Sequence, residues 1–174
     1  MKNLKLISAA LFITFGSMGA AYAAPLHKDD AKFIEKAAQA GHFEIKASEL
    51  ASKQSTNAEV QTFATQMVAD HTKVGNELDA LAQTKGVTTP KEPSKDQQKE
   101  LTKLGTLTGH AFDKEYADEV ATDAHEDAVK LFKKASKDAK DADIKAFATK
   151  NLPALQQHLD MGKTLEKAVK QVKS

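Results

Sequence analysis

The sequence predicts an all-α fold, a bundle of four long helices. Alanine, lysine, glutamate and leucine dominate its long segments, and the 174-residue chain contains only 4 prolines and 6% aromatic residues. Apolar residues recur every three or four positions, which is the period of a helix and not of a strand. The length suits a single domain with one core.

The N-terminal segment has the organisation of a cleavable signal peptide. Lys2 and Lys5 precede an apolar run at 6–15, and small residues follow up to the Ala-Tyr-Ala at 21–23. The run is roughly ten residues long, about half of what a membrane-spanning helix needs. We therefore expect cleavage of residues 1–23 and a periplasmic protein made of residues 24–174, with no transmembrane segment.

Start and stop signals place the four long helices at about 30–52, 56–84, 110–139 and 143–170. Short breaks separate the first pair and the last pair, so each pair forms a helical hairpin. The apolar face of the third helix is irregular because it drifts along the helix surface.

A long connection at 85–109 joins the two hairpins. It is rich in glycine, threonine, proline and lysine, which interrupt regular structure. Within it, Ser94 and Gln97 have the spacing of a capping box, which predicts a short helix ending near Leu104.

The composition excludes several classes of partner. All 25 basic residues are lysine, and the 24 acidic residues nearly balance them. Without arginine and without a basic excess, the chain lacks the usual means of reading nucleic acid. It also has no cysteine, which excludes a lipid anchor on that residue and any disulfide.

Each long helix places one ionisable side chain within or beside its apolar face, near the helix middle. The four residues are Glu44, His71, His125 and His158. His71 stands where the apolar stripe of its helix calls for a leucine. Because all four lie mid-helix, they should share a level of the bundle to within roughly 10 Å.

Histidine and carboxylate groups that converge from several helices are how bundles build metal centres. Neutral imidazole suits copper, zinc, iron or manganese, so we expect a mononuclear site for one such ion, or for a small ligand. Secondary candidates for ligands are Asp70, Asp113, Met67 and Met161. A thioether with an imidazole would favour copper(I).

The alternative is that the polar layer is purely structural. Unpaired polar groups in a core cost on the order of 1 to 3 kcal/mol each, so such a layer must be well paired or useful. In this case the protein is a non-catalytic envelope protein, related to stress or structure, whose charged faces meet an envelope protein partner. A metal site instead predicts that the inward set clusters while His27, His42 and His110 stay outside it.

The motifs also support a resemblance. The chain resembles the bacterial family of domain of unknown function 4142, whose members are often labelled predicted outer membrane proteins, over about residues 32–165. The resemblance implies a ferritin-like four-helix bundle in the cell envelope, with no settled activity. The residues that carry it are Gly41 and Glu44, Met-Val-Ala-Asp-His at 67–71, Phe-Asp-Lys-Glu-Tyr at 112–116, His125, and Leu152-Pro153 followed by His158.

Di-iron chemistry is not expected despite this analogy. It needs a Glu-x-x-His pair from each of two helices, and the residues three before the inward histidines are Val68, Thr122 and Leu155. Phosphate-loop, dinucleotide and nucleophile-elbow motifs are absent too. The sequence therefore leaves a reaction undefined and favours a protein that is not an enzyme.

Overall fold

A computed structural model describes residues 25–172, and this part of the chain contains helices and no strand. The predicted helices are all present with ends shifted by at most two residues, whereas the signal segment lies outside the described residues. None of the described helices is both long and apolar enough to cross a membrane. In chain order the elements are α1 (Lys28–Gln54), α2 (Ala58–Thr84), α3 (Lys95–Gly105), α4 (Gly109–Glu115), a π-helix (Tyr116–Ala124), α5 (His125–Asp138) and α6 (Ala142–Gln171).

The third long helix contains a nine-residue π-helix. α4, the π-helix and α5 follow one another without a break, and the backbone stays helical at Glu115, Ala124 and His125. A π turn holds more residues than an α turn, so side chains rotate around the axis as the helix passes through it. This rotation explains why the apolar face of the third helix drifts in the sequence.

Two apolar clusters fill the interior, and each draws on α1, α2, α6 and the third long helix. We call them the Tyr116 cluster and the Phe132 cluster after their central aromatic residues. The Tyr116 cluster includes Phe43, Phe63, Met67, Phe112, Val120, Leu165 and Val169. The Phe132 cluster includes Phe33, Ile34, Leu78, Ala128, Ile144, Phe147 and Leu155.

The order of the clusters along each helix gives the helix directions. α1 and α6 run from the Phe132 cluster to the Tyr116 cluster, whereas α2 and the third long helix run the opposite way. α2 therefore ends at one end of the molecule and α4 starts at the other. The connection between them crosses the length of the helices, with α3 packed against α1 and Glu92 paired with Lys46.

The predicted capping box of α3 is confirmed. The Ser94 side chain accepts from the Gln97 backbone N–H at 3.3 Å, and the Gln97 side chain accepts from the Ser94 N–H at 2.9 Å. Two orphan donors at the helix start are thereby satisfied.

Polar contacts close the end of the molecule beside the Phe132 cluster. The buried Asp30 carboxylate, at the start of α1, accepts from the backbone N–H groups of Lys140 and Asp141 at 3.1 and 2.8 Å. Lys85, just after α2, pairs with Asp141 at 2.8 Å and with Asp143 at 2.6 Å. The α5–α6 turn is thus held to both helices of the first hairpin.

α6 packs backbone to backbone against the π-helix at Gly162. A Cβ atom on Gly162 would lie 1.8 Å from the carbonyl oxygen of Ala121. Only glycine allows this approach, which sets the spacing between α6 and the π-helix one turn after His158.

Candidate metal centre

The four inward residues predicted from the sequence lie together between the two apolar clusters. Glu44, His71, His125 and His158 are each at most 5% exposed. The ring centroids of the three histidines are 5.3 to 5.7 Å apart. α1, α2, α5 and α6 supply one residue each, so the layer depends on all four packing partners.

Glu44 holds one side of His71. Its Oε2 lies 3.0 Å from His71 Nδ1, and its Oε1 is 3.9 Å from His125 Nδ1 and has no hydrogen-bond partner. Burial raises the pKa of Glu44 to about 8, so the carboxyl is protonated at neutral pH and donates to His71 Nδ1.

The other nitrogen of His71 contacts the next ring. His71 Nε2 lies 3.3 Å from His125 Nε2. With a proton on Nε2, His71 donates to His125, whose Nδ1 in turn donates to the Val120 carbonyl at 3.0 Å. The hydrogen bonds thus form one consistent chain from Glu44 to Val120 with every group neutral.

The π-helix places the Val120 carbonyl for this contact. The backbone N–H of His125 bonds to the carbonyl of Thr122 at the end of the π-helix. The carbonyl of Val120, five residues before His125, accepts from the imidazole ring. The irregular helix therefore fixes both the rotation of His125 and its tautomer.

His158 is held from the surface side of the layer. Its Nε2 lies 3.0 Å from Oδ2 of Asp70, a carboxylate whose side chain is 44% exposed. Its other nitrogen, Nδ1, is buried without a hydrogen-bond partner. Asp70 directly precedes His71 in α2. Two adjacent residues of this helix therefore supply one ring of the layer and the carboxylate that contacts another ring, His158.

The three rings share an arrangement typical of metal-binding histidines. In each, one nitrogen contacts an oxygen atom, which belongs to Glu44, the Val120 carbonyl or Asp70. Such contacts orient a ring and leave the second nitrogen for the ion. One ligand nitrogen from each ring lies within 4.8 Å of the others, and these are the only three such residues grouped this way within residues 25–172.

One of the three spacings between the rings matches a metal ion of the first transition row. Two nitrogens about 2.0 to 2.1 Å from a tetrahedral ion lie roughly 3.3 Å apart, which is the distance between His71 Nε2 and His125 Nε2. His71 and His125 are also kept in the neutral form, which is the form of imidazole that binds a metal ion. Burial lowers the pKa of His125 to about 4, and burial with the two neighbouring rings lowers that of His71 well below its ordinary value.

The secondary candidates are placed differently. Asp70 belongs to the layer as a partner of His158, and Met67 is buried in the Tyr116 cluster one turn from His71. Met161 packs against the same cluster and also lines a surface groove. Asp113 precedes His125 by twelve residues along the same long helix and is not brought to the three rings.

The other histidines lie outside the three-ring cluster, as a metal site requires. His27 is exposed and His110 is half-buried. His42, expected to be in solvent, is half-buried and lines a cavity between α1 and α2. The Val120 carbonyl was missed, because a pattern of side chains carries no signal for a backbone acceptor.

The fold and the layer together define an all-helical protein with a buried three-histidine cluster backed by carboxylates. The chain belongs to the family described as Domain of unknown function (DUF4142), which matches residues 16–165. This confirms the family indicated by the sequence motifs. No curated protein matches the chain significantly.

Solved structures share the fold at low sequence identity. A DUF305 fragment from Deinococcus radiodurans has a TM-score of 0.71 at 13% identity, covering 86% of this chain and 100% of its own. CopM in the Cu(II)-bound form has a TM-score of 0.63 at 15% identity, with coverage of 80% and 96%. A conserved hypothetical protein, rv2844, from Mycobacterium tuberculosis has a TM-score of 0.61 at 16% identity, with coverage of 84% and 94%.

Proposed function

We propose that the protein binds one transition-metal ion through His71, His125 and His158. The observation that carries this proposal is that every ring has one nitrogen on an oxygen atom and presents the other to its neighbours. A purely structural layer would gain by pairing both nitrogens of each ring, yet His158 Nδ1 is buried and unpaired. An ion at this point would give that nitrogen a partner.

In this proposal the carboxylates act behind the ligands. Glu44 orients His71 and Asp70 orients His158; Asp70 can offset the positive charge of a buried ion, and Glu44 can do so once it releases its proton. Glu44 was among the ligands predicted from the sequence, but its contact with His71 Nδ1 favours an orienting role. Met67 would contribute an apolar wall rather than a thioether ligand.

Copper(II) and zinc(II) are the first ions to test, and iron and manganese follow. Three imidazoles form a donor set that suits the first two ions. The copper-bound state of CopM, a distant structural relative, is a further reason to begin with copper. We do not propose a di-iron centre, because it takes a glutamate from each of four helices, whereas the two carboxylates of this layer are Glu44 and the half-exposed Asp70.

We further propose that the site works in the periplasm, in a ferritin-like four-helix bundle formed by residues 24–174 after removal of 1–23. Two helical hairpins joined by a crossing connection agree with that architecture. The protein would bind or carry the ion without a reaction of its own.

The test is a titration of untagged protein of residues 24–174, first stripped of metal with EDTA. We expect one copper(II) or zinc(II) ion per chain by calorimetry, and nitrogen couplings in the electron paramagnetic resonance spectrum of the copper form. His71→Ala, His125→Ala and His158→Ala should each weaken binding about 100-fold or more, because each removes a ligand.

His27→Ala and His110→Ala are the matched controls, and they should bind as the wild type does. Circular dichroism must show that each variant is folded, and His158→Leu offers a better-packed substitute if His158→Ala is not. Binding that is absent from the wild type, or that is lost equally in the control variants, would overturn the proposal. The polar layer would then be structural, as in the alternative reading of the sequence.

A further inference from the structure

Two glycines lie in the middle of long helices where neither the backbone conformation nor close packing requires a glycine. Gly41 of α1 and Gly75 of α2 are not among the glycines with positive φ. A Cβ atom on either would meet nothing within 4 Å, in contrast to Gly162. Each nevertheless costs roughly 0.5 to 1 kcal/mol relative to alanine in a helix, so neither chain conformation nor packing accounts for them.

The two glycines lie at the same level, one turn from the site. Gly41 precedes Glu44 by three residues, and Gly75 follows His71 by four. Because α1 and α2 are antiparallel, both steps lead toward the Phe132 cluster. The missing side chains therefore leave a gap on the seam between the two helices, beside the histidine layer.

A cavity of about 160 Å³ occupies this gap. Exposed or half-buried residues line its outer part, among them His42, Thr72 and Asn76. Its inner wall includes Glu44 and His71. The cavity thus connects the surface to the side of the histidine layer that faces α1 and α2.

The inner end of the cavity carries an unused ligand atom. Glu44 is 2% exposed, and its Oε1 has no hydrogen-bond partner. Beside it the cavity is lined by the His71 ring and by apolar residues of the facing helices, Ala128, Phe132 and Leu155. This carboxyl oxygen, at the inner end of the passage beside apolar side chains, is a group that would attract a cation, whereas Asp79, the other carboxylate in the lining, is paired with Lys91.

We propose that the seam at Gly41 and Gly75 is the route by which the ion reaches the three histidines, with Glu44 the first group it meets inside. This inference rests on the metal site proposed above. It assigns the two glycines a role in the speed of metal exchange, and none in the strength of binding.

The experiment compares exchange rates in Gly41→Leu and Gly75→Leu with those of the wild type. Zinc(II) uptake is followed by stopped-flow competition with a fluorescent zinc indicator, and release by addition of excess EDTA. Each leucine would fill the passage, so we expect uptake and release to slow together by about tenfold or more. The Kd is the rate constant of release divided by that of uptake, so it should stay within about threefold of the wild-type value.

Gly105→Leu in α3 is the matched control, since a Cβ there also meets nothing within 4 Å and the residue lies outside this cavity. It should exchange zinc at the wild-type rate. Gly75→Ala should do the same, because a methyl group leaves the passage open. The two leucine variants lie on different helices, so the failure of one to fold leaves the other as a test.

Unchanged rates in a folded leucine variant would overturn the route while leaving the metal site intact. A fall in affinity with no slowing of release would also overturn it, because that result means a distorted site rather than a blocked passage. If the wild type bound no ion at all, the proposed function itself would fail. The two ideas are thus tested by separate measurements.

Discussion

At the scale of single residues, the layer is held together by a choice of tautomers. The proton of Glu44 lets His71 donate to His125, and the Val120 carbonyl keeps the His125 proton on Nδ1. A group of neutral rings and a neutral acid costs far less to bury than charged groups would. Neutrality at this place therefore depends on the pH.

The pKa of Glu44 makes a testable prediction for the metal-free protein. Because burial raises this pKa from 4.5 to about 8, the folded state keeps a proton that the unfolded chain releases. The stabilisation is complete below pH 4.5 and is lost as the pH rises through 8. Glu44→Gln stays neutral and its amide can still donate to His71 Nδ1.

Urea unfolding in EDTA should show the wild type losing stability relative to Glu44→Gln as the pH rises from about 5 to 8, by at most about 1.4 kcal/mol per unit. Glu49→Gln, at an exposed position of α1, is the control and should follow the wild type. Below pH 6.5 the free energy of unfolding of both proteins should fall, because burial lowers the pKa values of His71 and His125 in the folded state. Parallel wild-type and Glu44→Gln curves would contradict the assignment.

Which residues turn inward could be predicted from the sequence, because helical periodicity fixes the face on which a side chain lies. His71 in a leucine stripe is the clearest case. Their exact partners could not be predicted. Whether the Glu44 carboxyl contacts an ion or a histidine ring depends on a difference of about 3 Å in where the carboxyl lies. The spacing of residues in the sequence does not determine a position that finely.

At the scale of elements, the π-helix and α6 set the geometry of the site together. The π-helix turns His125 inward and Gly162 lets α6 approach, which brings His158 to the other rings. The drift of the apolar face was the sequence signal for this irregular helix. It could not be interpreted without coordinates, since a drifting face also fits a curved or supercoiled α-helix.

Gly162→Ala should weaken both the fold and the site. The added methyl group would meet the Ala121 carbonyl, so α6 must move away from the π-helix. Overpacking of this kind costs roughly 1 to 3 kcal/mol, measurable by urea unfolding. The zinc affinity should fall as well, because His158 lies one turn away on α6.

Gly105→Ala is the control for this prediction. A Cβ at residue 105 has open space around it, so the change should be neutral or stabilise α3 by up to about 1 kcal/mol. A Gly162→Ala variant as stable as the wild type would mean that α6 does not need the close approach.

At the scale of the whole molecule, the layer divides the interior into the Tyr116 and Phe132 clusters. An ion bound by the three histidines would be joined to α2, the third long helix and α6, and to α1 through the contact of Glu44 with His71. Binding there should therefore stabilise the molecule as a unit.

Calorimetric melting should show this stabilisation. With free zinc at about 100 times its Kd, the folded state gains about 2.7 kcal/mol, which corresponds to a rise in Tm of roughly 5 to 10 °C for a protein of this size. His158→Leu lacks one ligand and should show a much smaller rise. An equal rise in both proteins would place the bound ion elsewhere.

The crossing connection after α2 gives the molecule a property that becomes apparent only if it is cut. The hairpin before it carries Glu44, Asp70 and His71, and the hairpin after it carries His125 and His158. A single proteolytic nick in the connection would leave two fragments, each with only part of the proposed ligand set. The complete set exists only while the two fragments are associated. A bound ion would therefore hold the fragments of the cut protein together, and the spectrum of a copper ion would report their reassociation.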